Sequence, residues 1–126
     1  MTRLYYLTRR LHSFVYAFRG LAILVETQHN ARIHAIATIL AIVAGFLFRI
    51  SPTEWCLIGL AVVCVWVTEA LNTSIEFLVD LVSPDPQPLA AKAKDVAAGA
   101  VLVAAIGSLI IGALVFGPKI WDLMPR

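Results

Sequence analysis

The chain has 126 residues, of which 60% are hydrophobic and only 14% are charged, and its mean hydropathy is +0.86. These values predict one membrane domain and argue against a soluble enzyme. The formal net charge of +2 gives no support for nucleic-acid binding, and the two cysteines lie inside one apolar run, so neither a disulfide framework nor a metal-binding pair is expected.

The first predicted element is an amphipathic helix over residues 1–29. Its apolar side chains recur every three or four residues, and most of its arginines lie off that stripe. This pattern is typical of a helix that lies in the membrane interface with its apolar face toward the lipid. The stripe consists of Leu4, Leu7, Leu11, Phe14, Phe18, Leu21 and Val25.

The polar residues 28–34 predict a turn in which Asn30 caps the next helix. The first membrane span is predicted over residues 31–49, where sixteen uncharged residues lie between Arg32 and Arg49. A helix of that length is roughly 24 Å long, slightly less than the ~30 Å hydrocarbon layer. The flanking arginine side chains can extend to the interface and cover the difference.

The second span is predicted over residues 52–82. It follows Ser51, has proline at its first position, and carries Glu54 three residues after the serine, which together predict a capped helix start. A helix of that length measures roughly 45 Å and exceeds the hydrocarbon thickness. Its far end must therefore emerge from the hydrocarbon.

The third span is predicted over residues 90–117, after a loop that alternating prolines extend between residues 84 and 88. Within it, the uncharged run of twenty-one residues from 96 to 116 is long enough to cross a bilayer. Gly117 and Pro118 are expected to end the helix. Small residues recur every four positions and predict a face for close helix packing: Ala100, Ala104, Ser108 and Gly112.

The distribution of basic residues predicts the orientation. Three spans place seven basic residues on one side of the membrane and three on the other. Because the basic side is normally cytoplasmic, the N-terminus and the proline loop are expected in the cytoplasm and the C-terminus outside. The seven are Arg3, Arg9, Arg10, Arg19, Arg32, Lys92 and Lys94, and the three are Arg49, Lys119 and Arg126.

Polar side chains share one face at the cytoplasmic end of the second span. An arc of about 80° on a helix contains Glu69, Asn72, Glu76 and Asp80. A charged residue at membrane depth usually marks a functional site. A solvated helix end, or a polar patch that pairs helices, is the alternative interpretation.

The depths of the two glutamates suggest different roles. Glu69 is nearest the hydrocarbon, where it can take a proton from a lipid hydroxyl, and Glu76 lies about 10 Å further out. An exposed glutamate beside an asparagine can hold Mg²⁺ with substrate phosphates. With nearby cations, the set suits metal-assisted phosphoryl transfer, although glycine-rich nucleotide motifs are missing. The three histidines, in contrast, are interpreted as interfacial: His12, His29 and His34.

Four blocks of the chain together resemble the small bacterial integral-membrane diacylglycerol kinases and undecaprenol kinases. They are NARIH at 30–34, EALNTSIE at 69–76, VD at 79–80 and AKDVAAGAVL at 93–102. The resemblance implies one all-α domain over residues 1–126, with a surface helix and three spans, assembled as a homotrimer. It also implies ATP as phosphoryl donor and Mg²⁺ as cofactor. The first and last blocks are more similar to the undecaprenol kinase branch, and the lipid acceptor stays open.

The resemblance also assigns roles to residues. It makes Glu69 the general base, with Asn72 beside it, and makes Glu76 a metal ligand. Gln28 stands where a second metal-binding glutamate is common, and its amide would bind metal without adding charge. Glu69 and Ala98 are assigned to the lipid substrate. The residues assigned to the nucleotide are Arg9, Tyr16, Gln28, Glu76, Asp85, Pro86, Gln87, Lys94 and Asp95. At Pro86 and Gln87 the family often has an aromatic–histidine pair, so this chain departs from its pattern there.

Three functions are consistent with the sequence. The first is a multi-pass kinase of the bacterial inner membrane that phosphorylates a lipid alcohol, either undecaprenol or diacylglycerol. The second is a proton-coupled transporter with Glu69 as carrier, although the acidic residues lie at one end of the span and not at its middle. The third, a structural assembly subunit, leaves the acidic face unexplained.

Overall fold

The computed structural model describes residues 3–123, with side chains from residue 12 onward. Over this range the chain forms four α-helices and no β-strand: α1 (Arg3–Thr27), α2 (His29–Leu47), α3 (Pro52–Val82) and α4 (Pro88–Trp121). The last three are long and apolar enough to cross a membrane. The predicted all-helical class with three candidate spans is confirmed.

The break between α1 and α2 is a single residue. Gln28 has extended backbone (φ −103°, ψ 121°) and is the N-cap of α2, whereas Asn30 lies inside the helix. The predicted turn over residues 28–34, with Asn30 as its cap, is therefore wrong. The helix restarts at once, and one side chain of α2 bonds to backbone groups at the end of α1.

Arg32 is the side chain that makes these bonds. Its guanidinium donates hydrogen bonds to the carbonyl oxygens of Val25 (2.9 Å) and Glu26 (2.5 Å) in the last turn of α1. These carbonyls have no partner inside the helix, so a cationic donor stabilises the helix end. Arg32 thus connects α1 to α2 directly.

α1 packs against α2 and α3 through a side chain that lies off its predicted stripe. Leu24 is buried, whereas the described stripe residues Phe14, Phe18, Leu21 and Val25 are exposed. Leu4, Leu7 and Leu11 lie outside the described side chains. The interfacial placement of α1 stays a prediction, and the exposed stripe leaves an apolar surface free for it.

α3 begins with the predicted capping box. The backbone N–H of Ser51 donates to Glu54 Oε2 (2.6 Å), and the backbone N–H of Glu54 donates to Ser51 Oγ (3.3 Å). Glu54 Oε1 also lies 3.0 Å from Lys119 Nζ. The same carboxylate therefore caps α3 and holds the far end of α4 beside it.

α4 continues past its predicted end. Pro118 lies inside the helix, which ends at Trp121 and begins at Pro88, two residues earlier than predicted. Proline removes one helical hydrogen bond. The last turn persists because Val115 and Phe116 pack in the core just before it and Lys119 is held at α3.

The core lies between α3 and α4, the pair with the most extensive packing. Buried Ile50, Ile58 and Val115 form its centre. Further along, Ser108 Oγ lies 3.1 Å from the carbonyl oxygen of Ala61 on α3. Ala104 is also buried, while Ala100 is exposed, so only part of the predicted small-residue face packs within the chain.

Gly45 allows α2 to approach α3 closely. A β-carbon at this position would lie 2.5 Å from the end of the Trp55 indole ring. The Trp55 ring also packs against Phe46, with centroids 5.0 Å apart, and against the α3–α4 core. The indole therefore has little freedom to move away from an added methyl group.

We expect Gly45→Ala to destabilise the protein by about 1–3 kcal/mol because the methyl group overpacks the Trp55 ring. Gly59→Ala is the matched control, since no atom lies within 4 Å of its β-carbon position and alanine favours a helix by about 1 kcal/mol. Thermal unfolding in detergent, followed by near-ultraviolet circular dichroism, measures both. A Gly45→Ala protein as stable as Gly59→Ala would contradict the close packing.

Candidate active site

The centre of the candidate site is one face of α3. Glu69, Asn72, Thr73 and Glu76 are spaced at three, four and seven residues and therefore lie on the same side of the helix. Glu69 is only 1% exposed, Asn72 7% and Thr73 4%, whereas Glu76 is half-buried. The difference in depth between the two glutamates agrees with the sequence-based expectation.

Asn72 connects the buried and half-buried parts of this face. Its Nδ2 donates a hydrogen bond to Glu76 Oε1 at 3.1 Å. The amide oxygen Oδ1 of Asn72 is buried and has no protein partner. The side chain therefore orients Glu76 and keeps one hard oxygen ligand available.

Buried polar atoms without a protein partner are concentrated around this face. In the described part of the chain they are His34 Nε2, Glu69 Oε2, Asn72 Oδ1 and Thr73 Oγ1. Each such atom costs about 1–3 kcal/mol when it stays unpaired. Since buried polar groups in folded proteins nearly always have partners, four such atoms around one face mark it as a candidate binding site.

A chain of hydrogen bonds sets the register between α2 and α3 beside Glu69. Trp66 Nε1 donates to Thr38 Oγ1 (3.1 Å), and Thr38 Oγ1 donates to the carbonyl oxygen of His34 (2.7 Å). The short turn between the helices makes them antiparallel, so one turn further along, His34 and Glu69 lie at the same level.

A second group of predicted residues surrounds the loop between α3 and α4. Lys94 Nζ forms an ion pair with Asp80 Oδ1 at 2.7 Å, and Ser83 Oγ donates to the carbonyl oxygen of Asp85 at 3.0 Å. A cavity of about 500 Å³ lies here. Its polar and loop lining consists of Asp80, Ser83, Pro84, Asp85, Pro86, Gln87 and Lys94.

The other predicted residues are less closely grouped. Gln28 is half-buried at the junction of α1 and α2, and Tyr16 is exposed on α1. Asp95 and Ala98 are exposed on α4, and neither lines the loop cavity. The side chain of Arg9 lies outside the described residues. The structure thus brings together the acidic face of α3 and, separately, the lining of the loop cavity.

Three features of the site did not emerge from the sequence. Thr73 follows Glu69 by four residues, and this spacing was a usable signal for its place on the same face. The interfacial interpretation of His34 rests on its five-residue spacing from His29, which is poor metal geometry, and that spacing says nothing about the level of His34 relative to α3. The pairing of Asp80 with Lys94 depends on the path of the proline loop, which no periodicity reveals.

The donor atoms fit Mg²⁺ when it is bound with a nucleotide. The described residues contain no cluster of three histidine, cysteine or acidic side chains that could hold a metal unaided. Mg²⁺ is usually held by one or two carboxylates together with substrate phosphates and water. Glu76 and the unpartnered oxygen of Asn72 match that requirement.

Comparison with known proteins gives several relatives. An undecaprenol kinase of Bacillus subtilis (strain 168) is 45% identical over 114 residues, which cover 90% of this chain and 93% of the relative. A diacylglycerol kinase of Synechocystis sp. is 39% identical over 90% of this chain and 66% of its own length. A diacylglycerol kinase of Escherichia coli (strain K12) is 29% identical over 82% of this chain and 84% of the relative.

A family model described as prokaryotic diacylglycerol kinase matches residues 15–116. This range contains the acidic face of α3, the loop cavity and all three candidate spans up to the last turns of α4. The extent of this match and the identity with the first two relatives show that the chain belongs to the prokaryotic diacylglycerol kinase family.

Proposed function

We propose that this chain is an integral-membrane lipid kinase that transfers the γ-phosphate of ATP to the hydroxyl group of a membrane lipid alcohol. The observation that carries the proposal is the buried carboxylate of Glu69, which has no protein partner for Oε2 in a helix long enough to cross a membrane. A burial so costly is expected where the carboxylate meets a substrate. The names of the relatives support the same activity.

In this proposal Glu69 is the general base. Its free Oε2 accepts the proton of the lipid hydroxyl as the hydroxyl oxygen forms its bond to the γ-phosphorus. The bond between the γ-phosphorus and the oxygen that bridges to the β-phosphorus breaks, and ADP leaves. Because Glu69 is rigidly buried, the reacting hydroxyl must come to it, which favours a substrate already dissolved in the membrane.

Glu76 and Asn72 hold the phosphate side of the reaction. The Asn72–Glu76 hydrogen bond fixes the glutamate and leaves the amide oxygen available for a cation. If Mg²⁺ is bound there together with ATP, it would neutralise part of the negative charge of the phosphates. Lys94, half-buried beside the loop cavity, adds a positive charge for the nucleotide phosphates. Gln28 is proposed as a second, uncharged ligand from the α1–α2 junction.

Undecaprenol is the proposed acceptor, ahead of diacylglycerol. The relative named undecaprenol kinase shares 45% of residues over nearly its full length, whereas the Escherichia coli diacylglycerol kinase shares 29%. Both acceptors present a primary alcohol on a long apolar body, so the base chemistry is the same for either.

The three apolar helices and the family make the chain a multi-pass membrane protein. We propose that it lies in the bacterial inner membrane, with the N-terminus and the active site in the cytoplasm, because seven of its ten basic residues fall on that side. A homotrimer with active sites shared between subunits is also proposed. The many large apolar side chains left exposed on all four helices give it surfaces to assemble through.

The transporter alternative has less support. Its proton carrier would also be Glu69, but the family consists of kinases and transport does not require the loop cavity beside Lys94. Proton-coupled uptake into liposomes without ATP is the result that would favour it.

We expect the purified protein to transfer labelled phosphate from Mg²⁺–ATP to undecaprenol, and more slowly to diacylglycerol, in mixed micelles. Glu69→Gln removes the base and should lower kcat by about 10²–10⁴-fold. Glu76→Gln weakens metal binding, so raising the Mg²⁺ concentration should restore part of its activity. Added Mg²⁺ should not restore Glu69→Gln, because its defect is in proton transfer.

Glu54→Gln is the matched control, since it makes the same change at the opposite end of the same helix. Glutamine still suits a capping box, and the ion pair with Lys119 that is lost lies far from the site. The Glu54→Gln protein should retain wild-type activity. Full activity in both Glu69→Gln and Glu76→Gln would refute the assigned roles, and transfer to neither lipid would refute the function.

The Asp80–Lys94 pair gives a second prediction. Both side chains are partly exposed, at 65% and 38%, so solvent screens the pair and it contributes little to stability. Lys94→Met should raise the KM for ATP several-fold and leave both the KM for lipid and the Tm unchanged. Asp80→Asn, which frees Lys94, should keep the KM for ATP near the wild-type value. Equal effects of both variants on Tm and on the KM for ATP would show that the pair is structural.

A further inference from the structure

The general base is not the only buried polar group at the membrane end of the site. His34 Nε2, on α2, is also buried and has no protein partner. Neutral histidine has one ring nitrogen that donates a hydrogen bond and one that accepts. A buried ring nitrogen left unpaired here indicates that something other than the protein completes it.

The register of the two helices brings His34 to the level of Glu69. The hydrogen bond from Trp66 to Thr38 joins α3 to α2 one turn away, and Thr38 also bonds to the backbone of His34. His34 Nε2 and Glu69 Oε2 nevertheless do not bond to each other, since both atoms are unpartnered. The two atoms thus provide one donor and one acceptor for a group bound beside both.

His34 also lies in the wall of a long apolar groove between α2, α3 and α4, with a volume of about 610 Å³. Its walls include Ala37, Ala41, Ala61, Val65, Ser108 and Phe116. The groove is almost entirely apolar, and Val65 places it one turn before Glu69 on α3. A polar end next to an apolar body matches an alcohol with a long hydrocarbon chain.

We propose that His34 binds the acceptor hydroxyl together with Glu69, and that the groove holds the first part of the acceptor's hydrocarbon chain. The hydroxyl donates its proton toward Glu69 Oε2 and accepts a hydrogen bond from His34 Nε2–H. This contact leaves one lone pair of the hydroxyl oxygen free and directs it toward the γ-phosphorus of ATP. His34 takes no proton in the reaction: the proton passes to Glu69 and the phosphoryl group to the hydroxyl oxygen. The inference rests on the proposed kinase function and specifies the substrate site within it.

The binding part of the inference is tested without ATP. Protein labelled with ¹⁵N-histidine in micelles is titrated with undecaprenol or dioleoylglycerol, and the imidazole resonances of its three histidines are followed. We expect the Nε2 resonance of His34 to shift with either alcohol and the exposed His12 and His29 to stay unchanged. A hydrocarbon of similar length without any oxygen offers no acceptor to Nε2–H and is expected to leave the Nε2 resonance of His34 unchanged. No shift of His34 at saturating alcohol would overturn the proposal.

Kinetics test the same contact during turnover. His34→Leu should raise the KM for the lipid about three- to tenfold, as expected for one lost hydrogen bond to a neutral group, with the KM for ATP unchanged. His34→Gln keeps an N–H donor near the position of Nε2 and should recover most of the lipid affinity. His29→Leu is the matched control because His29 is exposed, and it should leave the KM for lipid unchanged. An unchanged KM for lipid in His34→Leu, or no recovery in a folded His34→Gln protein, would overturn the assignment.

Ala37→Phe tests the groove itself. The ring would fill the groove one turn from His34 and should raise the KM for lipid, whereas Ile36→Phe, on an exposed neighbour outside the groove lining, should not. If Ala37→Phe instead changes the oligomeric state by size-exclusion chromatography, a second copy of the chain occupies the groove and the proposal is wrong. A wild-type protein without kinase activity would refute the proposed function, and the NMR titration alone would then decide whether the alcohol binds at His34.

Discussion

The length of α3 is the constraint on which the rest of the molecule depends. Its 31 residues measure roughly 46 Å, more than a bilayer's hydrocarbon layer. Every other helix packs against it, so its register decides what each of them presents to the site. Because the helix is anchored at one end by the capping box and Lys119, the excess length emerges at the other end, where its acidic face lies.

The buried polar groups of the acidic face lower the stability of the protein, and they are also the groups that the proposed reaction uses. Glu69, Asn72 and Thr73 are buried with unpaired polar atoms, which a protein selected only for stability would pair or replace. The packing between α3 and α4, built on Ile58, Val115 and small residues, is the most extensive between any two of the described helices. The carboxylate of Glu69 is buried with Oε2 unpartnered, as its proposed role of general base requires.

Two clusters of residues along α3 bind different substrates in the proposed reaction. The buried face around Glu69 suits a lipid hydroxyl, and the loop cavity beside Asp80 and Lys94 suits a nucleotide. Glu76 lies between them in the sequence, bonded to Asn72 from the buried side. A single helix therefore orders the groups from membrane to water, in the same order in which a lipid acceptor and a soluble donor approach.

Apolar run lengths, cap residues and helical spacing are local properties of a sequence. They are sufficient to predict the helical class, the capped start of α3, the three spans and the face shared by Glu69, Asn72 and Glu76. They are not sufficient for residues 28–34 and the end of α4, since Arg32 satisfies carbonyls across the break and Lys119 binds Glu54, contacts that local propensity does not contain. The level that His34 shares with Glu69 and the pairing of Asp80 with Lys94 are visible only in the folded molecule. Both depend on the register between helices, which packing and long-range hydrogen bonds set.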